Sequence, residues 1–458
     1  MNVGAMNQEE KIKYLTTKSV PGLVCQMAIP TIISMLVTSF YNMADTYFVG
    51  MIDTNATAAV GVVFSVMALI QACGFFFGHG SGNYISRKLG AGEYEEANSM
   101  AANGFFCAFF TGIIVAILGL VFLEPLSILL GATSDFLEST KQYLGIILIG
   151  SPFMMSQFVL NNQLRFQGSA SFAMIGIVTG AVINIVLDPI LMFGLHMGVA
   201  GAAAATVISQ IISFFILWFM SRKGGNIKVH LKNFHPTFYF FREIFRGGFP
   251  SLCRQGLGSL ATLCMNRSAG LFAGDYTVQA IAAMSVVTRI SMFASSALIG
   301  FGQGFQPVCG INYGAKKYDR VKEAYWFCVK VAFIALLIIS ALGLIFAKPL
   351  VTLFRKDDLD VIHIGTSALR FQCFVFPLNA WTVLCTMYLQ SIGKAMKASI
   401  VSASRQGLFF LPLIWILPFF FGLTGVEITQ MIADICSFVL SVPLGISVLK
   451  EMKKMEQM

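Results

Sequence analysis

The sequence predicts an all-α membrane protein with 12 transmembrane helices, arranged as two pseudo-symmetric six-helix bundles. Three observations support this fold class: a composition poor in charge, a series of long apolar runs and an internal repeat. Of the 458 residues, 56% are hydrophobic and only 12% are charged, whereas a soluble domain has about 25% charged residues. A soluble protein of this composition would not cover its own surface, and a disordered chain needs low hydrophobicity. We therefore expect an integral membrane protein.

Twelve apolar runs are long enough to cross a bilayer, which takes about 20 residues. They lie near 24–49, 58–81, 99–122, 142–161, 171–193, 200–220, 247–272, 277–304, 325–346, 363–386, 398–420 and 426–447. The first twenty residues are polar, so we expect no cleavable signal peptide. An even number of spans places both termini on the same side of the membrane.

The distribution of basic residues predicts which side that is. With the N-terminus inside, 21 of the 31 Lys and Arg fall in cytoplasmic segments and only 4 in external ones. Basic residues favour the cytoplasmic side of short loops, and the segment 221–246 is the richest in them. The sequence therefore predicts a multi-pass protein of the cell (inner or plasma) membrane with both termini in the cytoplasm. The net charge of +9 is a topology signal, and we expect no nucleic-acid partner.

The second half of the chain repeats the first at an offset of 220 to 227 residues. The matched features are Pro30 with Pro250, Gly78-x-Gly80-x-Gly82 with Gly300-x-Gly302-x-Gly304, Pro152 with Pro377, and Gly198-Val199 with Gly425-Val426. Each half has six spans, so the two halves enter the bilayer in the same sense, as in transporters. The predicted division is an N-lobe of residues 1–222, a cytoplasmic linker of residues 223–246 and a C-lobe of residues 247–458.

Acidic residues inside spans are the first candidates for function, because a charge at membrane depth costs at least about 2.5–3.5 kcal/mol. Four qualify: Asp45, Asp188, Glu427 and Asp434. Glu427 is predicted to begin its helix and to complement the helix dipole. Asp434 is interpreted either as a structural partner of an arginine or as a functional acid. Asp45 and Asp188 are the stronger candidates.

Asp188 lies in the motif Asn184-Ile-Val-Leu-Asp188-Pro189. Residues four apart share a helix face, and Pro189 frees the backbone carbonyl of Ile185. A carboxylate, an amide oxygen and a loosened backbone together form a plausible ligand set for a hard cation such as Na⁺. The alternative is a hydrated Asp-Pro that ends a helix near the external surface.

Asp45 follows a predicted hinge at Pro30, which lacks an N–H and bends the first transmembrane helix. Two carboxylates in one lobe of low dielectric constant would repel each other and favour proton uptake. Protons and Na⁺ would then compete for the same site.

The remaining polar features favour structural roles. The two Gly-x-Gly-x-Gly runs follow apolar helices and are interpreted as positions of close helix packing. For most of the arginines within spans we expect snorkelling or salt bridges; these arginines are Arg254, Arg267, Arg289, Arg370 and Arg405. The sequence has no phosphate-binding loop, no nucleophile–base set and no zinc motif. We therefore expect no enzyme and no cofactor apart from the coupling ion.

Together these features resemble the multidrug and toxic compound extrusion (MATE) family, especially its bacterial multidrug-export branch. The resemblance covers about residues 20–447 and is carried by Asp45-Thr46-x-x-x-Gly50, by Asn184-x-x-x-Asp188-Pro189 and by the repeated Gly-Val pairs. It implies two six-helix bundles, alternating access, and efflux of cationic amphiphiles in exchange for Na⁺ or H⁺. It also implies a cation site in the N-lobe, formed here by Asp45, Asn184, Asp188 and Thr206.

This sequence departs from some relatives of that family in two places. Where those relatives carry an acid on the fourth helix, this chain has Asn161 and Asn162, and spans 247–272 and 363–386 contain no acid. Coupling is therefore predicted in the N-lobe. Tyr41, Asn161 and Asn162 are predicted to line the substrate cavity, although the Asn pair would alternatively cap the inner end of the fourth helix.

The predicted function is an ion-coupled multidrug efflux antiporter that acts as a monomer, with membrane lipid and small amphiphilic cations as its partners. The alternative within the same superfamily is a flippase for a lipid-linked substrate, which tends to have a strongly cationic cavity and extra helices. A receptor or channel is disfavoured by the duplicated six-span halves.

Overall fold

The computed structural model describes residues 6–354 and 358–457, and the regular structure of this part of the chain is entirely helical. The helices of the N-terminal half are α1 (Gln8–Thr17), α2 (Val20–Gly50), α3 (Thr54–Ala91), α4 (Tyr94–Val121), α5 (Leu123–Leu129), α6 (Leu137–Phe166), α7 (Ala170–Pro189) and α8 (Gly198–Ser221). Helices α1 and α5 are short, and the other six are the predicted spans of the N-lobe. A π-helical turn, Ile190–Gly194, extends α7 beyond Pro189.

The C-terminal half contains eight helices. They are α9 (Phe238–Phe272), α10 (Thr277–Gly314), α11 (Tyr318–Phe354), α12 (Leu359–Val375), α13 (Leu378–Ser391), α14 (Ala395–Ala403), α15 (Phe410–Phe421) and α16 (Leu423–Glu456). Helices α12 and α13 form one span bent by 59° at a break that contains Pro377. A π-helical segment, Ser404–Phe409, joins α14 to α15.

The number of spans agrees with the predicted architecture. In the described ranges, ten helices are long and apolar enough to cross a membrane, and the bent pair adds an eleventh. Helix α9 is the twelfth long segment, and its arginines Arg242, Arg246, Arg254 and Arg267 make it more polar. It begins at Phe238, so the last nine residues of the predicted linker 223–246 are helical.

The two lobes contact each other at the end of the molecule that carries both termini, here called the terminal end. Helix α2 packs against α10, and α3 packs against α9. Gly300 and Gly304 of α10 lie against Ile32 and Ala28 of α2, while Gly80 of α3 lies against Ile244 of α9. The glycine runs are therefore positions of close helix packing, as predicted, and much of this packing joins the lobes.

A larger residue at Gly300 is expected to hold the lobes apart. A Cβ atom there would lie 2.7 Å from Ile32 Cα, which is backbone and cannot rotate away. Overpacking of this kind costs about 1–3 kcal/mol, so Gly300→Val is expected to reduce the closed population about tenfold or more. Cysteine cross-linking between positions 39 and 296 measures closure, because the Ser39 and Ser296 hydroxyls are 2.9 Å apart. Gly258→Val is the control, since a side chain there meets open space.

The N-terminal helix α1 bridges both lobes at the terminal end. The ammonium of Lys11 donates to Ser169 Oγ at 2.8 Å and to Asn226 Oδ1 at 2.6 Å on the N-terminal side. At the other end of α1, the carbonyls of Leu15 and Thr16 accept from side chains of the C-terminal half, Asn312 at 3.2 Å and Lys317 at 2.8 Å. Helix α1 thus connects the two halves through its C-terminal carbonyls and one buried lysine.

Burial lowers the pKa of Lys11 from its usual value near 10.5 to about 8. Between these two values the unfolded chain keeps a proton that the folded protein has lost, so stability rises with pH across this window. We expect the unfolding midpoint of the wild type to rise relative to Lys11→Met as the pH goes from 8 to 10. The exposed Lys13 provides the control variant Lys13→Met, and a flat difference for Lys11→Met would contradict the expectation.

Candidate cation site and cavity

Three of the four predicted cation-site residues form one buried cluster. Asn184 and Asp188 lie on one face of α7, with Asn184 Nδ2 3.3 Å from Asp188 Oδ1. The same Nδ2 atom lies 3.5 Å from the hydroxyl of Thr206 on α8. Asp188 is 0% exposed, and the chain continues past Pro189 in the π-helical turn. Helix α7 does end at Pro189, as the alternative of a helix-ending Asp-Pro has it, but the hydration of Asp188 that this alternative assumes is contradicted by its burial.

Asp45 reaches this cluster from α2. Helix α2 packs against α7, which carries Asp188, and Tyr41 lies one turn before Asp45 on the same helix. The structure thus places two acids of different helices in one electrostatic environment of the N-lobe. Their coupling role stays a prediction.

The cluster contains oxygen atoms that have no hydrogen-bond partner. Among the described residues, Asp45 Oδ1, Asn184 Oδ1 and Asp188 Oδ2 are buried and unpartnered. A buried acceptor without a donor costs about 1–3 kcal/mol, so such a set is expected where a cation or a proton binds. Carboxylate and amide oxygens fit a hard cation such as Na⁺, and the Thr206 hydroxyl offers a fourth oxygen.

Tyr143 on α6 belongs to the same environment and was missed by the sequence analysis. It is 0% exposed, it lies on α6, which packs against both α7 and α8, and its hydroxyl donates to Met67 Sδ at 3.7 Å. A lone tyrosine in an apolar helix carries no motif, so no sequence signal pointed to it.

A small cavity lies next to this cluster, between α2, α6, α7 and α8. Its volume of about 30 Å³ holds water and not a drug-sized molecule. Tyr41 and Asn184 line it, together with Thr38, Gln157, Phe158, Ile177, Gly180, Ala181, Ser209, Gln210 and Ser213. Gln157 Oε1 and Gln210 Oε1 have no partner among the described residues, which makes the lining rich in acceptors.

Asn161 and Asn162 lie apart from this lining. Both are buried: Asn161 donates to the carbonyl of Ala173 on α7, at 3.0 Å, and Asn162 to that of Phe158, at 2.7 Å. Neither caps a helix end, because α6 continues to Phe166, so the capping alternative is wrong. Their role as lining of a substrate cavity stays a prediction, and only Tyr41 of the predicted trio lines the cavity described here.

Pro30 is buried within α2, which the structure shows as one helix from Val20 to Gly50. The carbonyl of Pro30 accepts from Ser34 Oγ at 2.9 Å. The turn after the proline is thus tied down by a side chain, and the hinge role of Pro30 stays a prediction.

The two predicted span acids of the C-lobe, Glu427 and Asp434, already have partners. Asp434 accepts from Arg405 Nε at 2.8 Å, from Gln430 Nε2 at 2.7 Å and from Asn379 Nδ2 at 3.0 Å. The interpretation of Asp434 as an arginine partner is therefore confirmed. The prediction for Glu427 is wrong: α16 begins at Leu423, one turn earlier, and Glu427 accepts from Ser367 Oγ at 2.7 Å.

Two lobes of apolar spans, with an oxygen-rich cluster buried in one of them, define a multi-pass membrane transporter. The sequence profile of MatE matches residues 30–190 and again residues 256–416, once in each predicted lobe. The chain belongs to the MATE family.

Individual relatives are similar to this protein along nearly its whole length. The multidrug export protein MepA of Staphylococcus haemolyticus is 31% identical over 439 residues, which are 94% of this chain and 94% of that protein. A crystal structure of MATE in complex with MaL6 has a TM-score of 0.90 at 27% identity, covering 96% of this chain and 99% of that one. An outward-facing multidrug resistance MATE transporter of the MOP superfamily has a TM-score of 0.89 at 28% identity, covering 96% and 98%.

Proposed function

We propose that this protein is an ion-coupled multidrug efflux antiporter that exports lipophilic cations by alternating access, driven by Na⁺ or H⁺. The observation that carries the proposal is the set of unpartnered carboxylate and amide oxygens shared by Asp45, Asn184 and Asp188. The similarity to a multidrug export protein over 94% of the chain supports the efflux part of the proposal.

Coupling needs a site that exchanges cations and a structure that responds to the exchange. Asp45 on α2 and Asp188 on α7 would hold one Na⁺ or share protons, with Asn184 and Thr206 completing the oxygen shell. A ligand shifts a two-state equilibrium only through different affinities for the two states. Because α2 carries both Asp45 and Pro30 and also packs against α10, a bend in α2 would change the contact between the lobes.

Selectivity for lipophilic cations follows from the N-lobe surface near this site. Tyr41, Gln157 and Gln210 line the small cavity, and the side-chain oxygens of both glutamines have no partner among the described residues. Acceptor oxygens attract a cation without fixing its shape, which favours a broad range of cations over one substrate.

Transport in proteoliposomes tests the proposed function. A fluorescent cationic dye is loaded, and either a Na⁺ gradient or a pH gradient is imposed separately. We expect one of the two gradients to drive dye movement against its concentration. Equal dye movement with and without both gradients would contradict ion coupling, while no dye movement at all would contradict efflux.

We further propose that the terminal end faces the cytoplasm in the cell membrane, because most loop Lys and Arg lie there. In a cysteine-free background, Lys228→Cys should be inaccessible to an impermeant thiol reagent in intact cells, and Ser134→Cys should be labelled. Both positions are exposed. Labelling of position 228 from outside would reverse the orientation.

A further inference from the structure

Arg165 of α6 is a buried cation without an acid. It is 1% exposed and donates to two neutral side chains, Gln303 Oε1 at 2.6 Å and Asn162 Oδ1 at 2.5 Å. Its Nη2 atom also lies 3.2 Å from His79 Nε2. In the described part of the chain, no carboxylate lies within ion-pair distance of Arg165, and its Nε has no partner. Burial of an uncompensated charge is costly and calls for a counter-charge.

A second guanidinium belongs to the same region between the lobes. Arg254 lies on α9, which packs against α3, the helix of His79, and its charge acts on both Arg165 and His79. It is partly exposed, and the described residues offer it no ion pair. By contrast, Arg405 in the same lobe has its own acid, Asp434, at 2.8 Å. Among the span arginines, most of which were expected to snorkel or to form salt bridges, Arg254 thus has no acid partner in the described chain.

The pair lies at the contact between the lobes. Gln303 belongs to α10, so the hydrogen bond from Arg165 crosses between the lobes. One turn before Arg254, Ser251 Oγ accepts from Gln390 at 2.9 Å in a packed region. Beyond Arg254, a side chain at Gly256 or Gly258 would meet open space. Arg254 therefore lies where the packed part of α9 gives way to open space, and Arg165 lies buried at the contact between the lobes.

We propose that Arg165 and Arg254 form an oxyanion-binding site between the lobes, which takes a carboxylate or phosphate group carried by an amphiphile. Guanidinium groups bind such oxyanions with paired, charge-assisted hydrogen bonds. Two neighbouring guanidinium groups increase the free energy gained when an anion binds, because one anion compensates both positive charges. The site deepens the proposed function, on which it rests: besides lipophilic cations, the transporter takes zwitterionic amphiphiles, with the cationic group towards the N-lobe acids and the anionic group on the arginines.

Binding of a matched dye pair tests this site. The probes are a rhodamine dye with a free carboxylate and its methyl ester, and fluorescence polarisation of the purified protein measures both affinities. In the wild type we expect the acid to bind about tenfold more tightly than the ester. Arg254→Gln and Arg165→Gln should lose this preference. Arg289→Gln, which removes an exposed span arginine, should retain it.

Two further measurements complete the test. One distinguishes a carboxylate of the dye from a lipid phosphate as the bound oxyanion, and the other shows whether each variant is folded. Displacement of the acid dye by a short-chain phosphatidylglycerol, in the wild type but not in Arg254→Gln, would show that a lipid phosphate also occupies the site. Binding of the ester at wild-type affinity confirms that each variant is folded, and Arg254→Lys, which keeps the charge, should restore part of the preference. Equal binding of acid and ester by the wild type, with no displacement by the lipid, would overturn the site. Failure to export the ester under any gradient would instead refute the proposed function.

Discussion

The double variant Asp45→Asn, Asp188→Asn is expected to lose gradient-driven efflux completely while still binding a cationic dye. Asparagine keeps the size and the oxygen atom of each side chain but removes the exchangeable charge. Without a carboxylate, the oxygen cluster of α2 and α7 cannot release a proton, and it holds Na⁺ only weakly. The bound cation then no longer distinguishes the two states of the transporter, so no gradient does work on the substrate.

Dye efflux and dye binding, measured on the same preparations, check this expectation. Each single variant should reduce efflux strongly, because one carboxylate alone lacks the second charge that lets protons and Na⁺ compete. Asp275→Asn is the matched control, since Asp275 is an exposed acid far from the cluster in sequence. Full gradient-driven efflux by the double variant would show that coupling lies elsewhere in the chain.

Removal of Asp434 is expected to destabilise the C-lobe by about 3–5 kcal/mol, because it leaves the partner of a buried ion pair uncompensated. Asp434 is 3% exposed and accepts from Arg405, Gln430 and Asn379 at once. Asp434→Ala therefore leaves three donors without an acceptor. The double variant Asp434→Leu, Arg405→Met should regain most of the lost stability, since replacing both partners of a buried pair by apolar residues is often nearly neutral.

Thermal unfolding of the detergent-solubilised protein measures both effects. Arg289→Gln removes a span arginine without a carboxylate partner in the described chain and should change the midpoint little. If the double variant were as unstable as Asp434→Ala, the network would owe its stability to packing and not to charge.

Contacts between distant helices were mostly beyond prediction. The sequence identified Arg405 and Asp434 as candidates for pairing in general, but not with each other, because they are 29 positions apart and the end of one span lies between them. Asn162 offered two interpretations, cavity lining or helix cap, and the structure instead joins it to Arg165. Tyr143 carried no signal at all. In each case the side chain's role depends on a neighbour brought close only by the packing of another helix.

Helix boundaries were predicted where composition changes and missed where it does not. Helix α9 begins at Phe238, within the basic segment, before its apolar run starts. Its first turns are helical there because they pack against α3, a contact that composition does not reveal. The sequence also predicted one continuous span over 363–386, whereas the structure breaks it at Pro377 into α12 and α13. A proline marks where a bend is possible, whereas the 59° angle depends on what the two pieces pack against.

By itself, the sequence determined that this is a membrane protein of two repeated six-span lobes with acids at membrane depth. Those properties follow from the free energy of transferring each residue from water into hydrocarbon. That free energy depends on the residue type and on its place in the span, and hardly on which side chains it later contacts. Only the tertiary structure decided which polar groups pair and which remain without a partner. Hydrogen bonds and ion pairs act over about 3–4 Å, so their partners are set by how α2, α6, α7, α9 and α10 pack against one another. That packing left Asp434 matched to Arg405, but left Asp45, Asp188 and Arg165 each with a buried polar atom that has no partner in the described chain.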